Sequence, residues 1–177
     1  VARVHTGDPA IYGAHREQMD RLDELGIDYE VIPGVSSFLA TAAVLKKEYT
    51  LPGVSQTVIL TRMEGRTPMP PKEKLVDLAK HNATMIIFLS VGMLDEMSAI
   101  LRQEYRPETP VAVVYKATWE DQKIIRGDLT NIAERVKEAG ITKTALTVVG
   151  DFLGNDYDLS KLYDKTFTTE FRKGVTE

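Results

Sequence analysis

The chain has 177 residues, of which 43% are apolar and 27% charged, with a formal net charge of -4 and no cysteine. That length is enough to bury a real core, as one large domain or two small ones. The charge argues against nucleic acid or an anionic membrane as the main partner, and the absence of cysteine removes disulfides and thiolate metal sites.

The chain opens Val1-Ala2-Arg3-Val4 without a methionine, as if entered in mid-strand, and is expected to be the later part of a longer protein. Residues 1–4 read as a buried strand ending at the turn Thr6-Gly7-Asp8-Pro9. Residues 14–25 read as a helix with Met19, Leu22 and Leu25 on one face and Gly26 as its stop. Residues 29–32 read as a short strand leading into a second turn, Pro33-Gly34-Val35-Ser36-Ser37. Ser36 or Ser37 then caps a helix running to about Lys47, with Phe38, Ala42 and Leu45 on one side.

Leu51-Pro52-Gly53 breaks the pattern and marks the expected domain boundary. It divides the chain into the remainder of an N-terminal α/β domain over 1–54 and a C-terminal α/β domain with its tail over 55–177. Beyond it, 57–61 reads as a strand and the Gly/Pro-rich 63–71 as a loop. A helix carrying Leu75, Leu78 and Ala79 follows. The continuous apolar run 84–89 reads as a central strand covered on both faces. Leu94, Met97 and Leu101 mark a helix, 111–115 a strand, 129–139 a helix with Ile132 and Val136 inward, and 145–149 the last strand. From Ser160 the tail shows no clear pattern. Strands alternating with helices predict an α/β fold with largely parallel sheets.

Both Gly/Pro turns follow a predicted strand and feed a helix, where backbone amides are bared and a ligand can approach closely. Asp8 either accepts a hydrogen bond from a ligand or caps the next helix, and Ser36 and Ser37 either contact the ligand or serve as caps. Neither turn is a Walker loop or a Gly-x-Gly-x-x-Gly fingerprint. Arg62 and Arg66 flank a loop past a strand end. They either grip carboxylates bidentately or meet Glu64 and water.

Phe88-Leu89 and Lys116-Ala117-Thr118-Trp119 either line a flat apolar slot or pack in the core. The tail interleaves Lys161, Tyr163, Lys165, Phe167, Phe171, Arg172 and Lys173, as a cover for a planar anion or as a solvated extension. His5 stands beside the first turn, either as a base or as a packed histidine. His5, His15 and His81 share no ligand spacing, and no protein-bound metal is expected. No stretch is long and apolar enough to cross a bilayer.

With both turns in hand, the chain resembles the tetrapyrrole (corrin/porphyrin) methyltransferases. The matching pieces are Thr6-Gly7-Asp8-Pro9-Ala10-Ile11-Tyr12-Gly13, Ile32-Pro33-Gly34-Val35-Ser36-Ser37, 84–90, 110–127 and 145–150. Three longer pieces narrow the resemblance to a branch that methylates a corrin-ring carbon in cobalamin biosynthesis. They are 57–68, Val114-Tyr115-Lys116-Ala117-Thr118-Trp119 and Ser160-Lys161-Leu162-Tyr163-Asp164-Lys165-Thr166-Phe167.

The resemblance implies a two-domain α/β enzyme that uses S-adenosylmethionine. The family's opening strand and Gly-Pro-Gly-Asp-Pro loop have no counterpart here. The implied architecture is therefore a truncated N-terminal parallel-sheet domain plus a complete C-terminal α/β domain. Carried over by position, the cofactor contacts would be Thr6, Gly7, Asp8, Ile11, Ser36, Ser37, Leu89, Ala117, Ala145 and Leu146. The carboxylates of a tetrapyrrole substrate would sit near Arg62, Arg66 and Lys116. The resemblance names no catalytic base and implies a cytoplasmic homodimer, with any cobalt belonging to the substrate. Two readings stand beside it: another S-adenosylmethionine-dependent member of the superfamily (a different precorrin methyltransferase or a diphthine synthase), and a non-catalytic binding or oligomerisation fragment.

Overall fold

The computed structural model describes residues 1–175. In chain order the elements are α1 (Arg16–Glu24), α2 (Ser37–Leu45), β1 (Val58–Arg62), α3 (Leu75–Ala79), β2 (Thr84–Phe88), α4 (Leu94–Leu101), β3 (Pro110–Tyr115), β4 (Lys123–Asp128), α5 (Ile132–Glu138) and β5 (Ala145–Val149). Single 3-10 turns lie at Val91–Met93, Asp151–Leu153 and Lys161–Tyr163.

The strands form one sheet in the order β1-β2-β5-β3-β4. β1 and β2 run parallel, with Val58 beside Thr84 and Arg62 beside Phe88. The other three pairings are antiparallel, so the expected largely parallel sheet is corrected. Each helical crossover does join strands of the same sense: α3 links β1 to β2, α4 links β2 to β3, and α5 links β4 to β5. What changes the count is β5, which enters in the opposite sense between β2 and β3. The link from β3 to β4 is a short turn without a helix, and strands joined that way must run antiparallel.

β2 is buried at every position because both faces of the sheet are covered. Period two sends Met85 and Ile87, with Val111, Val113 and Val149, toward α3, α4 and α5, where Leu75, Met97, Leu101, Ile132 and Val136 close one core. Ile86 and Phe88, with Ala112, Val114, Leu146 and Val148, face a second core closed by Leu45, Tyr49, Leu51 and Phe152. The Tyr49 hydroxyl donates to the Phe38 carbonyl at 2.6 Å, and its ring meets Phe152 edge-on at 5.1 Å. Burial pushes the Tyr49 phenol well above its ordinary range. α2 and the segment to Leu51 are thus seated on the sheet.

Two expected strands are absent. Residues 1–4 and 29–32 belong to no strand and are unpaired and exposed, with Val4 at 91%. A strand persists by pairing its backbone groups, and among the described residues no neighbour pairs with these two. β4 was not anticipated. Its Lys-Ile-Ile-Arg-Gly-Asp sequence belongs to a half-exposed edge strand without the apolar run that marks a central one. The tail folds on itself outside the core: the Arg172 guanidinium donates to the carbonyls of Leu162, Asp164 and Phe167, and the Asp158 amide donates to Pro52 at 3.0 Å.

Candidate active site

The strand register sets the site. Arg62, Phe88 and Tyr115 end β1, β2 and β3 at the same edge of the sheet where Ala145 begins β5. A cleft of about 630 Å³ opens along that edge. One wall is Thr6 and Gly7 of the first turn with Val35, Ser37 and Ala40 of the second turn and α2. The floor is Phe88 and Leu89. The facing wall comes from the β3–β4 link (Lys116, Ala117, Thr118 and Trp119) and from 142–146 at the start of β5.

Asp8 fastens the two turns together. One carboxylate oxygen accepts the Gly34 amide at 2.8 Å and the other accepts the Ala10 amide at 2.8 Å. These amides, Gly34 first, hold the Asp8 carboxyl below its ordinary 3.8. Because the folded-state value is depressed, this stabilisation is present above 3.8 and is lost as pH falls through the folded value. The Gly34 amide proton shift is therefore expected to titrate with a midpoint below 3.8, and Asp8→Asn to abolish that titration in NMR.

The remaining wall is backbone held in the left-handed region. Leu89, Lys116, Thr118 and Thr144 have φ of 54°, 45°, 71° and 58°. Such values are rare for residues with a side chain, and most so for β-branched threonine. The tertiary structure enforces them: the Lys116 amide donates to the Thr144 carbonyl at 3.0 Å, and the Thr118 amide donates to the Gln122 side chain at 2.7 Å. Leu89, 77% exposed, is held out into the cleft rather than packed. Together these form an open apolar slot edged by backbone polar groups, an arrangement typical of small-ligand sites.

The structure gathers Thr6, Gly7, Ser37, Leu89, Lys116, Ala117, Ala145 and Leu146 around this one cleft. Asp8, Ser36 and Ile11 stand behind it. Asp8 is the clamp, Ser36 is buried with its carbonyl accepting the Leu39 and Ala40 amides, and Ile11 packs on the second core. Arg62 rims a separate cavity of about 250 Å³ with Met63, Met69 and Leu75. Its guanidinium donates to the carbonyls of Met63, Thr67 and Pro68, so it closes the loop 62–68 on itself. Arg66 is exposed in that loop and makes no ion pair or hydrogen bond among the described residues.

The His5 ring packs edge-on against His15 at 5.8 Å, and His5 is not part of the cleft lining. Sequence reasoning missed 91–93 and 142–144. Both are short loops with no glycine-rich signature, brought to the site only because β2 and β5 are neighbours.

A model of the tetrapyrrole (corrin/porphyrin) methylases matches residues 1–133. A cobalt-precorrin-4 C(11)-methyltransferase of Methanocaldococcus jannaschii is 62% identical over 98% of this chain and 68% of its own length. A protein of the same name from Priestia megaterium is 51% identical over 99% of this chain and 70% of its own. The X-ray structure of a cobalamin biosynthetic enzyme, cobalt precorrin-4 methyltransferase, superposes with a TM-score of 0.84 at 47% identity, covering 86% of this chain and 64% of that one. A uroporphyrin-III C-methyl transferase from Thermus thermophilus, complexed with S-adenosylhomocysteine, shares the fold with a TM-score of 0.68 at 23% identity, over 83% of this chain and 64% of that one. The chain thus spans about two thirds of the length of these relatives.

Proposed function

This chain belongs to the tetrapyrrole (corrin/porphyrin) methylases, and from that membership we propose that the protein is an S-adenosylmethionine-dependent methyltransferase acting at C11 of cobalt-precorrin-4 in cobalamin biosynthesis. The observation that carries the reading is the identity of 62% to a relative of that name, maintained across 98% of the chain.

The cleft fits the cofactor. Its volume of about 630 Å³ suits a nucleoside-sized molecule, and Ala40, Ala117 and Ala145 keep its walls open. Leu89 offers an uncovered apolar face for a base. Thr6, Gly7, Ser37, Leu89 and Ala117, with Ala145 and Leu146, would hold it, while Asp8, Ser36 and Ile11 keep those residues in place. When bound, S-adenosylmethionine supplies an electrophilic methyl group. The task left to the chain is to orient and to exclude water, and orientation alone is worth roughly 7–11 kcal/mol. The clamped turns and strained wall supply that rigidity in advance of binding.

The substrate is a macrocycle bearing carboxylates. Arg66 is exposed in the loop past the end of β1 with no partner among the described residues, and Arg62 shapes that loop. Arg66→Ala is expected to weaken tetrapyrrole binding about tenfold and to leave S-adenosylhomocysteine binding within twofold, as read by titration of each ligand. A homodimer and a cytoplasmic location belong to the same proposal.

The direct test is calorimetry with S-adenosylhomocysteine, followed by transfer of labelled methyl from S-adenosylmethionine to cobalt-precorrin-4. Binding with label appearing at C11 supports the assignment, and label at another ring carbon overturns it. A non-catalytic binding fragment would instead show no rise in melting temperature with the cofactor.

A further inference from the structure

Among the described residues, the ionisable ones that line the cleft are Lys116 and Lys143, and no acid lines it. That is an awkward wall for a methyl donor whose sulfur is a cation. Lys116 is also not free to swing away. Its Nζ lies 2.5 Å from a carboxylate oxygen of Asp121, 5.1 Å from the Tyr115 ring centre and 5.4 Å from that of Trp119. The link that carries both charges is tightly bonded: the Trp119 amide donates to the Lys116 carbonyl at 3.0 Å, and the Gln122 amide donates to the Trp119 carbonyl at 3.1 Å. The ammonium is thereby fixed at the rim. Its side chain is 25% exposed, while the Asp121 carboxylate behind it is 55% exposed and faces solvent. Asp121 does not line the cleft.

Resting on the assignment of S-adenosylmethionine to this cleft, we propose that Asp121 is a positioning residue that screens Lys116, so that the pocket accepts the cationic sulfonium donor and does not favour its neutral thioether product. The two ligands share the same adenosine, amino and carboxylate groups and differ in the charge at sulfur. Their affinity ratio therefore isolates the electrostatic effect from any general loosening of the site. Lys143 has no partner among the described residues and is the same in both forms; without Asp121 the Lys116 ammonium is uncompensated as well, and the added repulsion falls on the sulfonium alone.

The test measures dissociation constants of S-adenosylmethionine and S-adenosylhomocysteine for the full protein by calorimetry at low ionic strength. Asp121→Asn is expected to raise the donor-to-product ratio of dissociation constants about five- to tenfold, and added salt to shrink that change. Asp121→Glu, which restores the carboxylate, is expected to keep the wild-type ratio. Lys116→Met combined with Asp121→Asn removes both charges and is expected to return the ratio to the wild-type value. Equal weakening of both ligands in Asp121→Asn, or a double variant that keeps the altered ratio, overturns the inference while leaving the cofactor assignment intact. A wild-type protein that binds neither ligand overturns the assignment and the inference with it.

Discussion

Gly34→Ala is expected to weaken S-adenosylhomocysteine binding about a hundredfold in calorimetry, with little change in unfolding temperature. A Cβ at position 34 would run into the carbonyl oxygen of Gly7, so the second turn must draw back from the first. That movement also pulls the Gly34 amide away from the Asp8 carboxylate, 2.8 Å distant in the native arrangement. Displacements near 1 Å at a positioning element can cost on the order of a hundredfold. Stability is spared because the two turns are largely exposed and contribute little to either core. Gly65→Ala is the matched control, since a Cβ there meets nothing within 4 Å. Binding by Gly34→Ala within twofold of the parent would show that the two turns do not build the pocket.

The second large effect is on stability. Phe152→Ala is expected to destabilise the fold by about 3–5 kcal/mol in urea unfolding, the range for removing a fully buried ring. Phe152 is 0% exposed and stands directly after the last strand, its ring against Tyr49. It joins the far end of β5 to the segment carrying α2, so its loss leaves a cavity in the second core, at the sheet edge opposite the cleft. Phe171 has the same chemistry in an open setting, 97% exposed, and Phe171→Ala is expected to stay within about 0.5 kcal/mol of the parent.

How far residues announce their places can be traced through these elements. The run 84–88 gave itself away because a strand covered on both faces is apolar without interruption. The helices were readable from periodic Leu75 and Ala79, Leu94, Met97 and Leu101, and Ile132 and Val136, each of which is buried. β4 was illegible because an edge strand with Arg126 and Lys123 facing water has no such run. Conversely, apolar Val1–Val4 and Val31–Ile32 looked like strands, since local pattern reports hydrophobicity and says nothing of whether a partner exists.

The sense of β5 was equally hidden. Nothing in Ala145-Leu146-Thr147-Val148-Val149 says which gap it enters. The site followed the same division. Gly7 and Gly34 were visible as turn glycines; Leu89 and Ala117 were visible as candidates for an apolar slot or for core packing, and only the family resemblance made them cofactor contacts. The left-handed backbone at Leu89, Lys116, Thr118 and Thr144 left no trace, because those residue types do not ordinarily adopt it. Arg62 looked like a ligand grip, but three carbonyls of its own loop occupy it.

The strand order places the last-made strand in the middle of the sheet. Until residues 145–149 are made, the inner edges of the flanks formed by residues 58–88 and 110–128 lack the strand that pairs with both. A polypeptide stalled or clipped before that point can neither zip the halves together nor assemble a binding pocket. Damaged or unfinished copies of this protein should therefore be conspicuous to chaperones and proteases.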